Sequence, residues 1–260
     1  MLLLIDAGNT RVKWALVAKP SAVESPSAST LGQWHAAGSV THDGIPELTK
    51  ALRAMQIERV LIANVAGAAV REALELLLAN VLPPETPVEW FVSLAACGGL
   101  RNTYLNPAQL GCDRFAAAIG AHALLPGRDL IVATCGTATT IDAVSADGVF
   151  LGGMILPGLA LMTAALARNT AQLPQVSLHA NPHRPFADHT DAAIASGCLA
   201  AQAGAIERAV IAHRLHTQGE VTCILAGGAA DLIAPQLSLP HQRIDNLVLI
   251  GLQIVATSSC

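Results

Sequence analysis

The sequence predicts an α/β fold built as two similar halves, with mixed sheets flanked by helices and a cleft between the halves. Three observations carry it. Apolar runs of strand length alternate with stretches in which apolar residues recur at helical spacing. A strand, a glycine turn and a second strand open the chain at residue 2, and the same succession returns at residue 130, about half of the 260 residues later. Hydrophobic residues make up 52% of the chain and charged ones 13%, enough to bury a large core and well below the usual charged share of about 25%.

The elements follow in order. Leu2–Ile5 and Val12–Val17 are apolar strands joined by Asp6-Ala7-Gly8-Asn9-Thr10, and Gln33–Val40 reads as a third strand. Between them, residues 19–31 hold Pro20, Pro26 and four serines and read as a polar loop. Leu48, Leu52 and Met55, then Val70, Leu74, Leu77 and Leu78, place helices over Pro46–Met55 and Ala68–Asn80, with the strand Val60–Ala63 between them and Val88–Val92 after. Beyond Asp113 come the helix Arg114–Leu125, the strand Leu130–Thr134, the turn Cys135-Gly136-Thr137, and the strands Ala138–Val144 and Phe150–Leu156. Helices over Ala160–Ala171 and Asp191–Gln218, the strand Val221–Leu225, the turn Gly227-Gly228, a short helix and the apolar segment Leu247–Val255 complete the chain.

Composition removes several function classes. A net charge of −4 and a pI near 6.1, without any run of Lys or Arg, argue against nucleic-acid binding, which needs a basic face. Length allows one large domain or two ordinary ones. The six cysteines, Cys97, Cys112, Cys135, Cys198, Cys223 and Cys260, stand singly, so neither a zinc site nor a disulfide framework is indicated and a reducing, cytoplasmic compartment is expected. Met1–Ile5 lacks a basic region and reads as a first strand, not a targeting segment. Gly148–Ala167 is twenty residues without a charge, long enough to span a bilayer. Gly152-Gly153 and Pro157-Gly158 interrupt it, so it reads as a buried strand followed by a buried helix. So little of this segment tolerates water that a second copy of the chain is expected to cover it.

Chemistry concentrates in a few places. Asp6-Ala7-Gly8-Asn9-Thr10-Arg11-Val12-Lys13 brings a carboxylate, backbone N–H groups, a hydroxyl and an ammonium to one end of a strand. Such a nest suits phosphate and the magnesium travelling with it; an ordinary hairpin turn is the alternative. Gly136-Thr137-Ala138-Thr139-Thr140 repeats the logic, with Gly permitting close backbone approach and Thr137 offering a hydroxyl, or it is simply a Thr-rich strand start. In Gly111-Cys112-Asp113-Arg114, Asp113 is either a helix cap or a general base for a substrate hydroxyl, with Arg114 facing an anionic group. Tyr104 is the sole tyrosine, Thr190 is placed to cap the long helix, and His179, His183 and His189 share a Pro-rich loop and read as solvated residues and not as a metal site.

Together these blocks resemble the type III pantothenate kinases, also known as the Bvg accessory factor family, within the acetate/sugar kinase, Hsp70 and actin superfamily. The resemblance rests on D-A-G-N-T with Lys13, N-T-Y-L-N-P followed by L-G-C-D-R, G-T-A-T-T-I-D, G-G-M-I-L-P-G-L, H-T-D-A-A-I-A-S-G and A-G-G-A, in that order along nearly the whole chain. It implies two ribonuclease H-like, actin-like ATPase halves, residues 1–113 and 114–260, the second carrying a homodimer interface. It further implies ATP- and Mg2+-dependent phosphorylation of pantothenate, with neither nucleic acid nor membrane as partner. ATP phosphates would be held by Asp6, Ala7, Gly8, Asn9, Thr10, Arg11, Val12 and Lys13, with Asp6 on the metal and Gly136 and Thr137 at the nucleotide. Asp113 would accept the proton, and Tyr104, Gly111, Cys112, Asp113, Arg114 and Thr190 would line the pantothenate pocket. Family members using a monovalent cation, NH4+ or K+, carry an Asp two residues before the second glycine, where this chain has Thr134. A nucleotide-binding regulator without turnover, or a kinase of the same superfamily for another small molecule, are the alternative readings.

Overall fold

A computed structural model describes residues 1–18, 30–178, 185–258 and 260. Of the loop read over 19–31, only Thr30 and Leu31 fall among them, and His179 and His183 lie outside the described residues. The chain divides into two compact units. One comprises Met1–Pro126, Gly148–Phe150 and Asn246–Cys260, the other Gly127–Asp147 and Leu151–Asp245.

The first unit opens with β1 (Leu2–Ala7), β2 (Arg11–Val17), β3 (Ala36–Thr41), α1 (Leu48–Arg53), β4 (Arg59–Asn64), α2 (Ala68–Val81) and β5 (Val88–Trp90). Its sheet has the order β3-β2-β1-β4-β5, with β1 antiparallel to β2 and parallel to β4. A central strand covered on both faces needs a continuous apolar run, and Leu2–Ile5 supplies it, every residue buried. Leu3, Ile5, Val60, Ile62, Leu74 and Leu78 form the core between sheet and helices. The helix read over Pro46–Met55 is shorter than expected: Pro46 sits in a 3-10 turn, Ile45–Glu47, and the α-helix starts only at Leu48, since Pro is accepted in a first turn and not further in.

A hairpin that periodicity does not reveal follows, β6 (Ala96–Cys97) and β7 (Leu100–Asn102). Its two turn residues, Gly98 and Gly99, have φ of 58° and 82°, the left-handed pair that a two-residue hairpin requires. α3 (Cys112–Leu124) comes next.

The second unit repeats the topology. It contains β8 (Asp129–Cys135), β9 (Ala138–Val144), β10 (Val149–Pro157), α4 (Leu159–Asn169), α5 (Thr190–Thr217), β11 (Val221–Ala226), α6 (Ala230–Ile233) and β12 (His241–Arg243). The order β10-β9-β8-β11-β12, with β8 antiparallel to β9 and parallel to β11, is that of the first sheet. The first two residues of β10, Val149 and Phe150, belong to the first unit and pair there with Arg101 and Asn102. Ile131, Ile141, Leu199, Ile206, Val210 and Leu225 form the core of the second unit. Finally α7 (Leu247–Val255) packs on α3 within the first unit, where a Cβ on Gly120 would lie 2.5 Å from the Leu247 carbonyl oxygen.

Three expectations are corrected. Gly148–Ala167 is indeed strand then helix, but only part of it is buried in this chain: Val149, Phe150, Leu159 and Thr163 are, whereas Met154, Ile155 and Leu161 are 42%, 66% and 46% exposed. Thr190 does not cap α5; it is the first helical residue, and His189 precedes it without any side-chain cap bond. Cys97 and Cys260 are joined by a disulfide, their Cα atoms 4.8 Å apart, across a sequence separation of 163 residues that carries no local signal. Cys112, Cys135, Cys198 and Cys223 are free and buried. α5 is long and apolar enough to cross a membrane, and half of its most apolar stretch is buried within the chain.

Candidate active site

In the first unit, Asp6 and Lys13 face each other as register partners on β1 and β2, and Asp6 also stands beside Ala63 of parallel β4. The turn between them is closed by the Gly8 N–H donating to the Arg11 carbonyl at 3.1 Å, leaving Asn9, Thr10 and Arg11 exposed. His42 Nε2 lies 2.9 Å from the Gly8 carbonyl oxygen, and Arg11 Nε donates to Ser39 Oγ at 3.2 Å. Val12 and Ala7 are buried in the core, so they hold the turn by packing while its polar members stay accessible.

α3 delivers Asp113 to the same place. Its first turn carries Asp113, whose Oδ1 accepts the Arg114 N–H at 2.8 Å. A Cβ on Gly111 would come within 2.7 Å of that oxygen, so glycine leaves the room the carboxylate occupies. Arg114 is buried and donates from Nη1 to the Tyr104 hydroxyl oxygen at 3.1 Å, its guanidinium 5.9 Å from the Tyr104 and Phe150 rings. Tyr104 is held from behind by Asn102, whose side chain accepts the Tyr104 N–H and donates to the Leu94 and Pro107 carbonyls. Cys112 points its thiol at the Asn64 carbonyl, 3.7 Å away.

These groups feel one another. Burial pushes the Asp6 carboxyl up to about 7, Lys13 pulling it down and Asp113 adding to the rise. Asp113 is also raised, by burial, against the pull of the Arg114 N–H and charge. Burial, with Asp113 beside it, lifts the Cys112 thiol to about 11, so it is no nucleophile at neutral pH. Two carboxylates short of compensating charge suit a cation. Among the described residues no cluster of three or more His, Cys, Asp or Glu could hold one unaided. One or two carboxylates are the donor set that Mg2+ takes when it keeps most of its water and arrives on phosphate oxygens.

The second unit assembles three backbone turns. The Gly158 N–H donates to the Thr137 carbonyl at 2.9 Å and the Ala229 N–H to that of Cys135 at 3.0 Å. Side chains on Gly158 or Gly227 would collide with the Gly136 and Cys135 carbonyls, respectively, and Gly227 has φ 90°. Gly136 and Thr137 are exposed. Gly136, Leu159, Thr163, Val176, Gly228 and Leu232 line a cavity of about 360 Å3, of the size that small-molecule sites occupy. Thr190, at the start of α5, is exposed in this unit. Thr134 stands two residues before Gly136, as Asp6 does before Gly8, paired with Thr140 and Ala226.

Structure thus gathers Asp6, Lys13, Asp113, Arg114 and Tyr104 in one unit and the second glycine turn with the Gly227-Gly228 turn in the other. His42, Asn64, Asn102 and Gly158 escape sequence reasoning because each acts through a backbone group distant or unremarkable in sequence.

A family model described as type III pantothenate kinase matches residues 2–212. The type III pantothenate kinase of Herminiimonas arsenicoxydans is 64% identical over 257 residues, covering 98% of this chain and 97% of that one. That of Janthinobacterium sp. (strain Marseille) is 59% identical over 258 residues, with the same coverage. Among solved structures, one described as a 2-dehydro-3-deoxygalactonokinase protein from Sinorhizobium meliloti matches with a TM-score of 0.57 at 13% identity, covering 99% of this chain and 98% of its own. A Baf family transcriptional activator from Campylobacter jejuni matches with a TM-score of 0.57 at 20% identity, over 97% and 96%. The solved structures speak for the fold alone.

Proposed function

We propose that this chain, which belongs to the type III pantothenate kinase family and so transfers a phosphoryl group from ATP to pantothenate, uses Asp113 as the base that receives the proton of the attacking hydroxyl. The product is 4′-phosphopantothenate, on the way to coenzyme A. The observation carrying the assignment is the placement of Asp113: its raised carboxyl stands on the first turn of α3 within electrostatic reach of Asp6, beside Arg114 and Tyr104. A base working near neutral pH gains from such a rise.

Phosphoryl transfer asks for positioning and charge neutralisation more than for covalent chemistry. In this reading the 6–13 turn offers its N–H groups and the Thr10 hydroxyl to the ATP phosphates, and Lys13 offsets charge developing on the transferred group. Asp6 would hold Mg2+, which when bound neutralises phosphate charge. Arg114 and Tyr104, with Gly111 and Cys112, orient pantothenate so that its primary hydroxyl faces Asp113. Within the second unit, Gly136 lines a cavity together with Gly228, which we read as a nucleotide site, and Thr137 follows it in the same turn. The two actin-like lobes of this scheme would follow the two compact units, with α3 and α7 in the first, and not a division at residue 113. Thr134 offers only a neutral oxygen where a carboxylate would hold a monovalent cation, so we infer a weak dependence on K+ or NH4+. A homodimer working in the cytoplasm completes the reading, with the exposed Met154, Ile155 and Leu161 covered by the second copy.

The test is direct. Purified chain with Mg-ATP and pantothenate is expected to form 4′-phosphopantothenate, and Asp113→Asn to lower kcat by about 10²–10⁴-fold with ATP affinity retained. An Asp113→Asn enzyme with full turnover would remove Asp113 from the base role.

A further inference from the structure

Arg243 ends β12 directly opposite Leu225 of β11, and its guanidinium serves two kinds of acceptor at once. Inward, Nη2 donates to the Gly227 carbonyl at 3.0 Å and Nη1 reaches the Leu225 carbonyl at 3.5 Å. Outward, Nη1 meets Asp245 Oδ1 at 2.7 Å and Nε meets Asp231 Oδ1, on α6, at 3.1 Å. Gly227 is where β11 hands over to α6, in a conformation only glycine adopts comfortably. Gly228, Ala229 and Leu232 follow it into the wall of the 360 Å3 cavity, and the Ala229 N–H ties the same turn to Cys135.

A cluster of one guanidinium and two carboxylates carries a net negative charge, so Arg243 is poorly suited to attract a phosphate itself. Its donors go to the carbonyls of the turn and to two exposed carboxylates. Exposed ion pairs contribute little stability, and both partners are exposed, Asp231 at 80% and Asp245 at 64%. The contacts that matter are therefore the inward ones. We propose that Arg243 is a positioning residue for the nucleotide: it braces the Gly227-Gly228 turn so that Gly228 and Ala229 present a preformed wall to ATP. The inference rests on reading that cavity as the nucleotide site.

Calorimetric titration of Mg-ATP into the full chain without pantothenate, alongside steady-state kinetics, tests it. Arg243→Gln is expected to weaken ATP binding about tenfold, the effect of one lost charge-assisted hydrogen bond. KM for ATP should rise in step, kcat at saturating ATP should stay within about twofold, and KM for pantothenate should not move. Arg243→Lys keeps the charge but loses the planar fork, so it should restore only part of the affinity; it carries the test should Arg243→Gln fail to fold. Asp245→Asn, which leaves both inward donors in place, should bind ATP as the wild type does. Wild-type ATP affinity in both Arg243 variants, or a loss confined to kcat, overturns the positioning role while leaving the nucleotide site standing. A wild-type chain that forms no complex with Mg-ATP overturns the nucleotide reading and this inference with it.

Discussion

Asp6 shows at the scale of one side chain what a binding site costs. Its folded pKa of about 7 lies above the ordinary 3.8, so the folded chain holds the proton more tightly than the unfolded one. The resulting stability is fully present below about pH 4, declines as pH rises through the window, and is gone above about pH 7. Asp6→Asn has no charge to bury. In metal-free buffer at pH 8 it should therefore be more stable than the wild type by about 1–3 kcal/mol, with the gap smaller at pH 5 and closed only below about pH 4, as read from urea midpoints across that range. A gap that does not depend on pH would place the strain elsewhere. The same variant should have lost most of its kinase activity, the usual exchange between stability and function. Asp6, Lys13 and Asp113 are legible in sequence because a carboxylate or ammonium beside a glycine turn or a helix start has few structural uses. The Arg114–Tyr104 hydrogen bond is only half legible: the two residues are adjacent blocks of one resemblance, but nothing in their spacing announces the contact.

Glycine decides several contacts between elements. α3 and α7 cross so closely that a Cβ on Gly251 would run into the backbone of Ala116. Two effects then compete in Gly251→Ala. Alanine favours helix over glycine by about 1 kcal/mol, whereas forcing two packed helices apart costs about 1–3 kcal/mol or more. Because the obstruction is backbone and not the end of a flexible side chain, the second effect should win, and the variant should lose up to about 2 kcal/mol net in a urea titration. A stabilised variant would mean that the helices can separate freely. The strands at the sheet centres are readable in advance, since Leu2–Ile5 and Leu130–Ala133 are unbroken apolar runs. β6, β7 and β12 are not, because strands of two or three residues show no period. Their existence depends on neighbours brought in from elsewhere, as with β12 on β11.

Across the whole chain, the repeated order β3-β2-β1-β4-β5 and β10-β9-β8-β11-β12 bears out the two similar halves read from the recurring strand, glycine turn and strand. What the repeat does not predict is where its copies differ. Asp6 in one copy corresponds to Thr134 in the other, so the carboxylate chemistry lies with the first glycine turn. The second copy instead exposes Met154 and Ile155 on β10, Leu161 on α4, and Ile211 and Leu215 on α5. Scattered exposed aliphatics are ordinary on a monomer, and the first unit has its own in Leu76, Val92 and Leu105, but Leu151, Met154, Ile155 and Leu161 stand together in one uncharged segment, which suits an interface. A second copy is the occupant we propose, and the chain should sediment as a dimer at micromolar concentration. Ile155 is 66% exposed, so Ile155→Asp costs the monomer little. In a dimer it would lose about 1.5–3 kcal/mol of burial and add a desolvated charge, which should raise the dimer dissociation constant at least about 100-fold. Sedimentation velocity of both proteins decides the matter. A wild type that runs as a monomer removes the dimer, whereas an Ile155→Asp chain that still runs as a dimer moves the interface off this face.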